Sequence, residues 1–295
     1  MLTHRCPAPA LPARTVILGA NGFVASAIRS RLTVAGVDHL ALGASTLDLT
    51  DDDATDALRG RLRAGDAVVF VSAVAPCKSR TALERNLRMA DAVCAALEAV
   101  TPSHLVYISS DAVYRDSEDP LREDACADAA SLHGLMHRAR ESVLGHALAH
   151  VPLAILRPSL LYGADDPHNG YGPNRFRRTA AQERRIELFG EGEERRDHVF
   201  VDDLADVACR VLAHRSRGVL NVATGVSHSF REVAEAVSAL FDDAIEITPS
   251  PRRSPIAHRF FDATACFKAF PDFAYTPLLE GLALTQARDE AQKGL

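Results

Sequence analysis

Lysine is scarce in this 295-residue sequence: it occurs only at Lys78, Lys268 and Lys293, so nearly every cation is an arginine. No apolar run approaches the ~20 residues that a bilayer-spanning helix needs, so no membrane segment is expected. The cysteines (Cys6, Cys77, Cys94, Cys126, Cys209 and Cys266) are scattered and form no C-x-x-C pair. Neither a zinc site nor a disulfide framework is suggested by that spacing. There is no internal repeat, and no low-complexity tract follows residue 13. Residues 1–13 are rich in Pro and Ala without the continuous apolar core of a signal peptide, so they read as a loose leader, with the cytoplasm as the expected compartment. The formal net charge of −6 gives no bulk attraction to nucleic acid.

What is present is the composition of a globular chain, 47% hydrophobic and 24% charged, long enough to bury a large core in one or two domains. The most informative stretch is Thr15-Val16-Ile17-Leu18-Gly19-Ala20-Asn21-Gly22-Phe23-Val24-Ala25. An apolar run reaches Gly19 and an amphipathic run follows from Gly22 to Ala35, which predicts strand, tight turn and helix. Gly19 permits the sharp turn, and Gly22 lets the backbone approach a ligand. The free N–H groups and dipole of the helix start suit a pyrophosphate. The spacing is G-x-x-G-x-x-A, not the G-x-G-x-x-G of many dinucleotide binders.

The chain then alternates. Strands are expected at His39–Leu42, Asp66–Ala73, His104–Ser109 and Leu153–Leu156, the last stopped by Arg157-Pro158. Helices are expected from about Asp52 to Arg63, Thr81 to Val100 and Ser131 to His150, with Thr50 or Asp51 capping the first. This alternation predicts an α/β fold, a doubly wound parallel sheet with ligands at the carboxyl ends of its strands. Ser109, Ser110 and Asp111 stand at such an end. An acid-rich loop follows from Asp116 to Asp128, and a long polar loop from Gly163 to Pro173. Beyond it the alternation loosens, until a last helix from Leu278 towards Lys293. The second strand ends in Gly43-Ala44-Ser45, with neither an acid for ribose hydroxyls nor an arginine for a 2′-phosphate. NAD and NADP therefore both stay open.

Several strings together resemble the extended short-chain dehydrogenases/reductases, the NAD-dependent epimerase/dehydratase family. Gly19 to Ala25 looks like their cofactor loop, Leu47-Asp48-Leu49-Thr50-Asp51 like their adenine-side motif, and Tyr107-Ile108-Ser109-Ser110-Asp111-Ala112-Val113-Tyr114 like their catalytic serine strand. Leu156 to Gly163, Phe189-Gly190-Glu191-Gly192, Arg196 to Asp203 and Asn221 to Gly225 continue the likeness in the family's order. It implies a Rossmann-type cofactor domain over 14–165 and a smaller, mainly substrate-binding domain over 166–295, some of whose segments return to the core. It implies NAD or NADP held by Gly19, Asn21, Gly22, Phe23, Val24, Asp48, Leu49, Ala73, Ala75, Asn86 and His137. The substrate implied is a nucleotide-linked sugar, bound by Ser110, Asp111, Arg196 and Arg252 or Arg253, in a homodimer built on the two long helices. Arginine suits the phosphates because its planar fork meets two oxygens at once.

One departure matters most. The family's tyrosine passes a proton and a lysine four residues on lowers its pKa. Here His133 stands at the tyrosine position and His137 at the lysine position. No tyrosine lies between Tyr114 and Tyr162, and no lysine between Lys78 and Lys268, so the dyad is absent rather than shifted. In a first reading His133 exchanges the proton, since an imidazole with a pKa of about 6.5 needs no lysine, and His137 bonds the nicotinamide ribose. In a second, the protein binds cofactor in a degenerate site, as a regulatory or scaffold protein. In a third, the i, i+4 pair holds a metal, although no third ligand is specified by spacing. Two smaller differences narrow the chemistry. Asp111-Ala112 follows Ser110 where the family's dehydratases carry Asp-Glu, which disfavours dehydration. Leu160 replaces an asparagine common in UDP-sugar enzymes. Epimerisation through transient oxidation, or ketone reduction, is the activity expected.

Overall fold

The computed structural model describes residues 1–252 and 255–293. The first half is a strand–helix alternation: β1 (Arg14–Leu18), α1 (Phe23–Val34), β2 (Asp38–Leu42), α2 (Ala54–Arg59), β3 (Ala67–Phe70), α3 (Arg80–Ala99) and β4 (His104–Ile108). A 3-10 turn at Asp111–Val113 leads to β5 (Ser117–Leu121), α4 (Leu132–Ala147), β6 (Leu153–Pro158) and β7 (Leu160–Tyr162). Then come α5 (Pro173–Glu183), β8 (Arg185–Phe189), β9 (Arg195–Phe200), α6 (Val201–Ala213), β10 (Gly218–Val222) and β11 (Ser227–Ser229). The chain ends with α7 (Phe230–Ser238), β12 (Glu246–Ser250), β13 (Arg259–Phe261), α8 (Thr264–Ala269) and α9 (Leu278–Lys293).

Six strands form one parallel sheet in the order β10-β6-β4-β3-β1-β2. Its strands read as continuous apolar runs because both faces are covered. Alternate residues separate into two cores. Ile17, Val69, Val106, Ala154 and Leu220 meet Ile28 and Leu32 of α1 and Leu204, Val207 and Val211 of α6. Val16, Phe70, Leu105, Tyr107 and Ile155 meet Leu58 of α2, Val93 and Leu97 of α3 and Leu144 of α4. Full burial of each large aliphatic side chain contributes about 1.5–3 kcal/mol, so these layers hold the sheet edge that builds the site. A third core joins Phe176, Ile186, Leu188, Phe200, Phe230, Val233 and Leu282 beneath the two-stranded β8–β12 pair and the β7–β9–β11 sheet. This is the doubly wound α/β architecture that the alternation predicts.

Side-chain caps start the helices that border the site. Ser79 accepts from the Ala82 N–H at 3.1 Å to open α3, and Ser131 accepts from the Gly134 N–H at 3.1 Å to open α4. Four expectations change. The helix α2 is short, because Gly60 closes it, and its N-cap is Asp53, which makes no side-chain cap bond. The acid-rich loop contains a strand, β5, paired in parallel with β13. Arg157-Pro158 does not stop its strand: both residues belong to β6 and pair with β10. The first residues are docked rather than loose. Thr3 and Arg217 exchange two backbone hydrogen bonds of 2.8 Å. The His4 ring stacks on His214 at 4.2 Å and bonds Ser216 Oγ (2.8 Å) and the Ala269 carbonyl (2.9 Å). Among the described residues no helix is long and apolar enough to cross a membrane.

Candidate active site

The site grows from the carboxyl edge of the parallel sheet. β1 ends at Leu18 and the chain turns at Gly19, whose φ is +105°. A Cβ there would lie 2.8 Å from the Ser72 backbone nitrogen, so only glycine fits both the turn and the neighbouring strand end. Gly22 is the N-cap of α1 in an extended conformation, and no side chain caps this helix. Its first N–H groups are left for a ligand, with the positive end of the dipole behind them. These features fit a dinucleotide diphosphate.

A cavity of about 750 Å³, within the range of small-molecule sites, opens here. Gly19, Asn21, Gly22, Phe23, Val24, Asp48, Leu49, Ala73, Ala75, Ser110, Asp111, His133 and His137 all line it. Asp48 Oδ1 accepts from both the backbone N–H (2.9 Å) and the hydroxyl (2.8 Å) of Thr50. Those bonds hold its carboxyl below the usual range and leave Oδ2 as the free acceptor. Leu49 is buried beside it.

Ser110 lies just past β4, capping the 3-10 turn: its Oγ accepts from the Ala112 N–H at 3.1 Å. Facing it is the start of α4. Gly134 explains the closeness, since a Cβ there would stand 1.9 Å from the Ala112 carbonyl oxygen. His133 is thereby carried to the cavity wall beside the serine loop. Its Nδ1 accepts from the Cys77 N–H at 3.4 Å, and its ring meets that of His137 edge-on at 4.8 Å. Burial lowers its pKa, helped by His168 and opposed by Asp111. His137 is deeper, 6% exposed, with Nδ1 2.8 Å from the Tyr107 hydroxyl. Burial, His133 and Arg140 push its pKa well below the ordinary value. Both imidazoles are therefore neutral at pH 7. Among the described residues no cluster of His, Cys, Asp and Glu could hold a metal ion.

Behind the wall, Glu141 grips Arg157 through two bonds (2.9 and 2.7 Å) and accepts from the Ser109 hydroxyl at 2.6 Å. Arg157 also donates to the Tyr114 hydroxyl (2.6 Å), which donates to Asn221 Oδ1 (2.8 Å). This buried network fixes the end of β4, and with it Ser110.

Four residues expected at the site do not reach it as free groups. Asn86 lies outside the cavity wall: its amide accepts from the Val74 N–H (3.0 Å) and donates to the carbonyls of Val74 (3.0 Å) and Ala82 (2.8 Å), so it shapes the Val74 loop. Arg196 is held by the Ala257 carbonyl and lies 3.5 Å from Asp116. Arg252 pairs with Glu193, with Glu194 at 3.4 Å and with the Phe189 carbonyl at 3.0 Å. Asp111 is in the wall, but its carboxylate pairs with Arg259 at 2.9 Å. Arg253 lies outside the described residues. Arg259, which also lines the cavity and bonds Asp116 at 3.0 Å, is the residue sequence reasoning missed. Its signal was indirect: an acid-rich loop needs a cation. His168 and Tyr171 of the long polar loop complete the wall.

Comparison with known proteins agrees with this architecture. The model of the NAD dependent epimerase/dehydratase family matches residues 15–223. The chain is 28% identical over 308 aligned residues to the UDP-glucose 4-epimerase of Mycolicibacterium smegmatis, covering 92% of this chain and 97% of that one. Its structure is similar to that of the Thermus thermophilus UDP-glucose 4-epimerase in complex with NAD (TM-score 0.81, 22% identity, 94% of this chain and 99% of that one). It is also similar to a GDP-L-fucose synthetase from Naegleria fowleri bound to NADP (TM-score 0.88, 14% identity, 100% and 99%). At these identities the structural likenesses speak to the fold.

Proposed function

The chain belongs to the NAD dependent epimerase/dehydratase family, and from that premise we propose that it uses NAD or NADP to modify a nucleotide-linked sugar, by epimerisation through transient oxidation or by ketone reduction. The observation that carries this reading is one cavity whose wall joins the glycine turn, Asp48–Leu49, Ser110 and His133. The dinucleotide, when bound, supplies the hydride donor or acceptor.

The residues divide the work. Gly19, Asn21, Gly22, Phe23 and Val24 hold the diphosphate: Phe23 and Val24 through the N–H groups at the start of α1 and its dipole, and Gly19 and Gly22, whose own N–H groups bond the Leu42 and Gly19 carbonyls, by letting the backbone come close. Asp48 takes the adenine amino group with its free oxygen, and Leu49, Ala73 and Ala75 give apolar contact. Ser110 hydrogen-bonds the reacting oxygen and His133 exchanges its proton at Nε2, taking it from a substrate hydroxyl in the Nδ1–H tautomer and returning it from the imidazolium, a cycle that gives up the 3.4 Å contact of Nδ1 with the Cys77 N–H. His137 meets the nicotinamide ribose. Arg196 releases Asp116 for a substrate phosphate, with Arg252 or Arg253 as a second cation. Residues 14–165 act as the cofactor domain and 166–295 mainly as the substrate domain. The exposed Leu132, Leu135 and Val143 of α4 support a homodimer.

The test is turnover of a panel of UDP- and GDP-sugars with both cofactors, followed by NMR and by nicotinamide absorbance. On the substrate found, His133→Phe should lower turnover at least about 100-fold. Unchanged turnover would sink the assignment. The burial of His137 and its bond to Tyr107 favour a second reading, a cofactor-binding regulatory protein. Dinucleotide binding without hydride transfer to any panel member would select it.

A further inference from the structure

Behind His137 lie two side chains to which the reading above gives no role. Arg140 is wholly buried, with its guanidinium carbon 4.1 Å from the Phe70 ring centroid and 5.2 Å from that of Tyr107. It donates to the Ser72 carbonyl at 2.9 Å and to Asn86 Oδ1 at 3.4 Å, and among the described residues no carboxylate forms an ion pair with it. Tyr107 is also wholly buried, and its hydroxyl bonds His137 Nδ1 at 2.8 Å.

We propose that Tyr107, with Arg140 behind it, is a positioning residue that fixes His137 as the Nε2–H tautomer, so that the lysine position presents a neutral hydrogen-bond donor to the cavity. A buried phenol must place its proton on an acceptor, and Nδ1 is the acceptor in reach. The opposite arrangement, Nδ1–H donating to the phenol oxygen, leaves the phenol O–H unpaired. Proton loss from Tyr107 does not intervene, because burial raises its pKa to about 12, with Arg140 opposing and Glu141 assisting. The second proton that would make His137 an imidazolium is opposed from every side that carries charge. Burial disfavours it most, followed by His133 and then Arg140 on α4. Glu141 is committed to Arg157, Asp111 to Arg259, and Cys94 of α3 is a thiol, whose pKa burial raises to about 11. The lysine's two contributions are thus divided: His137 keeps the N–H donor, and Arg140 keeps a permanent positive charge one turn further along α4.

The catalytic meaning of this arrangement rests on the function proposed above; the tautomer itself does not. Long-range proton–nitrogen NMR of protein labelled at histidine, with His137 assigned by its loss in His137→Gln, reads it directly. The wild type should show His137 as one Nε2–H species, unchanged from about pH 5.5 to 8.5. Tyr107→Phe should give a mixture of tautomers, whereas Arg140→Met should leave His137 neutral across that range, because burial, the largest cause of its lowered pKa, remains. A wild-type Nδ1–H or doubly protonated ring overturns the proposal, as does a Tyr107→Phe spectrum identical to wild type. If either variant fails to fold, the wild-type spectrum decides. Tyr107→Phe should also weaken dinucleotide binding about tenfold. A protein that binds no dinucleotide overturns the functional reading, while the spectrum still decides the tautomer.

Discussion

Replacing Gly134 by alanine sets two familiar effects against each other. Alanine in a helix interior is ordinarily worth about 1 kcal/mol over glycine. At Gly134, however, the new Cβ would stand 1.9 Å from the Ala112 carbonyl oxygen, 2.7 Å from its carbon and 3.0 Å from Ala129 Cβ. The first two are backbone atoms and cannot rotate aside. Reaching ordinary contact needs a separation of about 1 Å or more between α4 and the serine loop. Overpacking of this kind costs about 1–3 kcal/mol, and a backbone clash falls at the upper end. The net expectation is destabilisation by about 2 kcal/mol. Gly145, on the same helix, is the internal control: a Cβ there meets nothing within 4 Å. Gly145→Ala should therefore stabilise by about 0.5–1 kcal/mol. Urea unfolding followed by circular dichroism gives both signs, and each kcal/mol should move Tm by about 2–4 °C. Gly134→Ala should also weaken any ligand that needs both Ser110 and His133, since it pushes their elements apart. The reasoning fails if the two variants shift stability in the same direction.

Three further outcomes are expected. His198 is buried with both ring nitrogens unpaired, and burial lowers its pKa to about 3. Between that value and the unfolded pKa near 6.5 the unfolded chain binds the extra proton, so stability rises with pH across this window and falls on acidification. His198→Phe should gain about 1–3 kcal/mol at pH 7 and flatten that slope, and an unchanged slope would refute the assignment. Arg259→Met strands the buried Asp111 carboxylate and should lose about 3–5 kcal/mol in chemical denaturation, partly restored by Asp111→Asn in the same chain; a loss below about 1 kcal/mol would show that water reaches the pair. Asn86→Ala removes both partners of the Val74 backbone and should cost about 2–4 kcal/mol, with faster amide exchange at Val74; exchange as slow as wild type would mean the loop is held by something else.

Much of the fold was legible because it is written locally. The run ending at Gly19 and the helix from Gly22 follow from periodicity and turn chemistry alone, and the doubly buried strands announce themselves as unbroken apolar runs. The histidine pair was legible through the family resemblance, at the two dyad positions on the helix that follows the Ser110 loop. What escaped depends on distant partners. Nothing in Ser117 to Leu121 reads as a strand until Arg259 to Phe261 lies beside it. Asn86 was expected to face a ligand, yet faces the Val74 backbone twelve residues earlier, a choice that only the packing of α3 on the sheet decides. The docking of residues 1–13 was hidden because its partners, Arg217, His214 and Ala269, stand more than two hundred positions away.

The pairing of β5 with β13 also sets an order on the growing chain. Asp111 and Arg259 are 148 positions apart, and the small apolar cluster beneath them needs Val113, Tyr114 and Leu121 together with Ala223 and Phe261. During synthesis the strands β1, β2, β3, β4 and β6 can assemble once residue 158 has left the ribosome, giving a sheet already carrying the glycine turn. The wall that holds Ser110 must then wait for roughly another hundred residues, a delay of about 5–20 s at ordinary translation speeds. Through that interval the nascent protein has a finished glycine turn and an unfinished Ser110 wall, so the two sides of the cavity mature at different times within the life of a single chain.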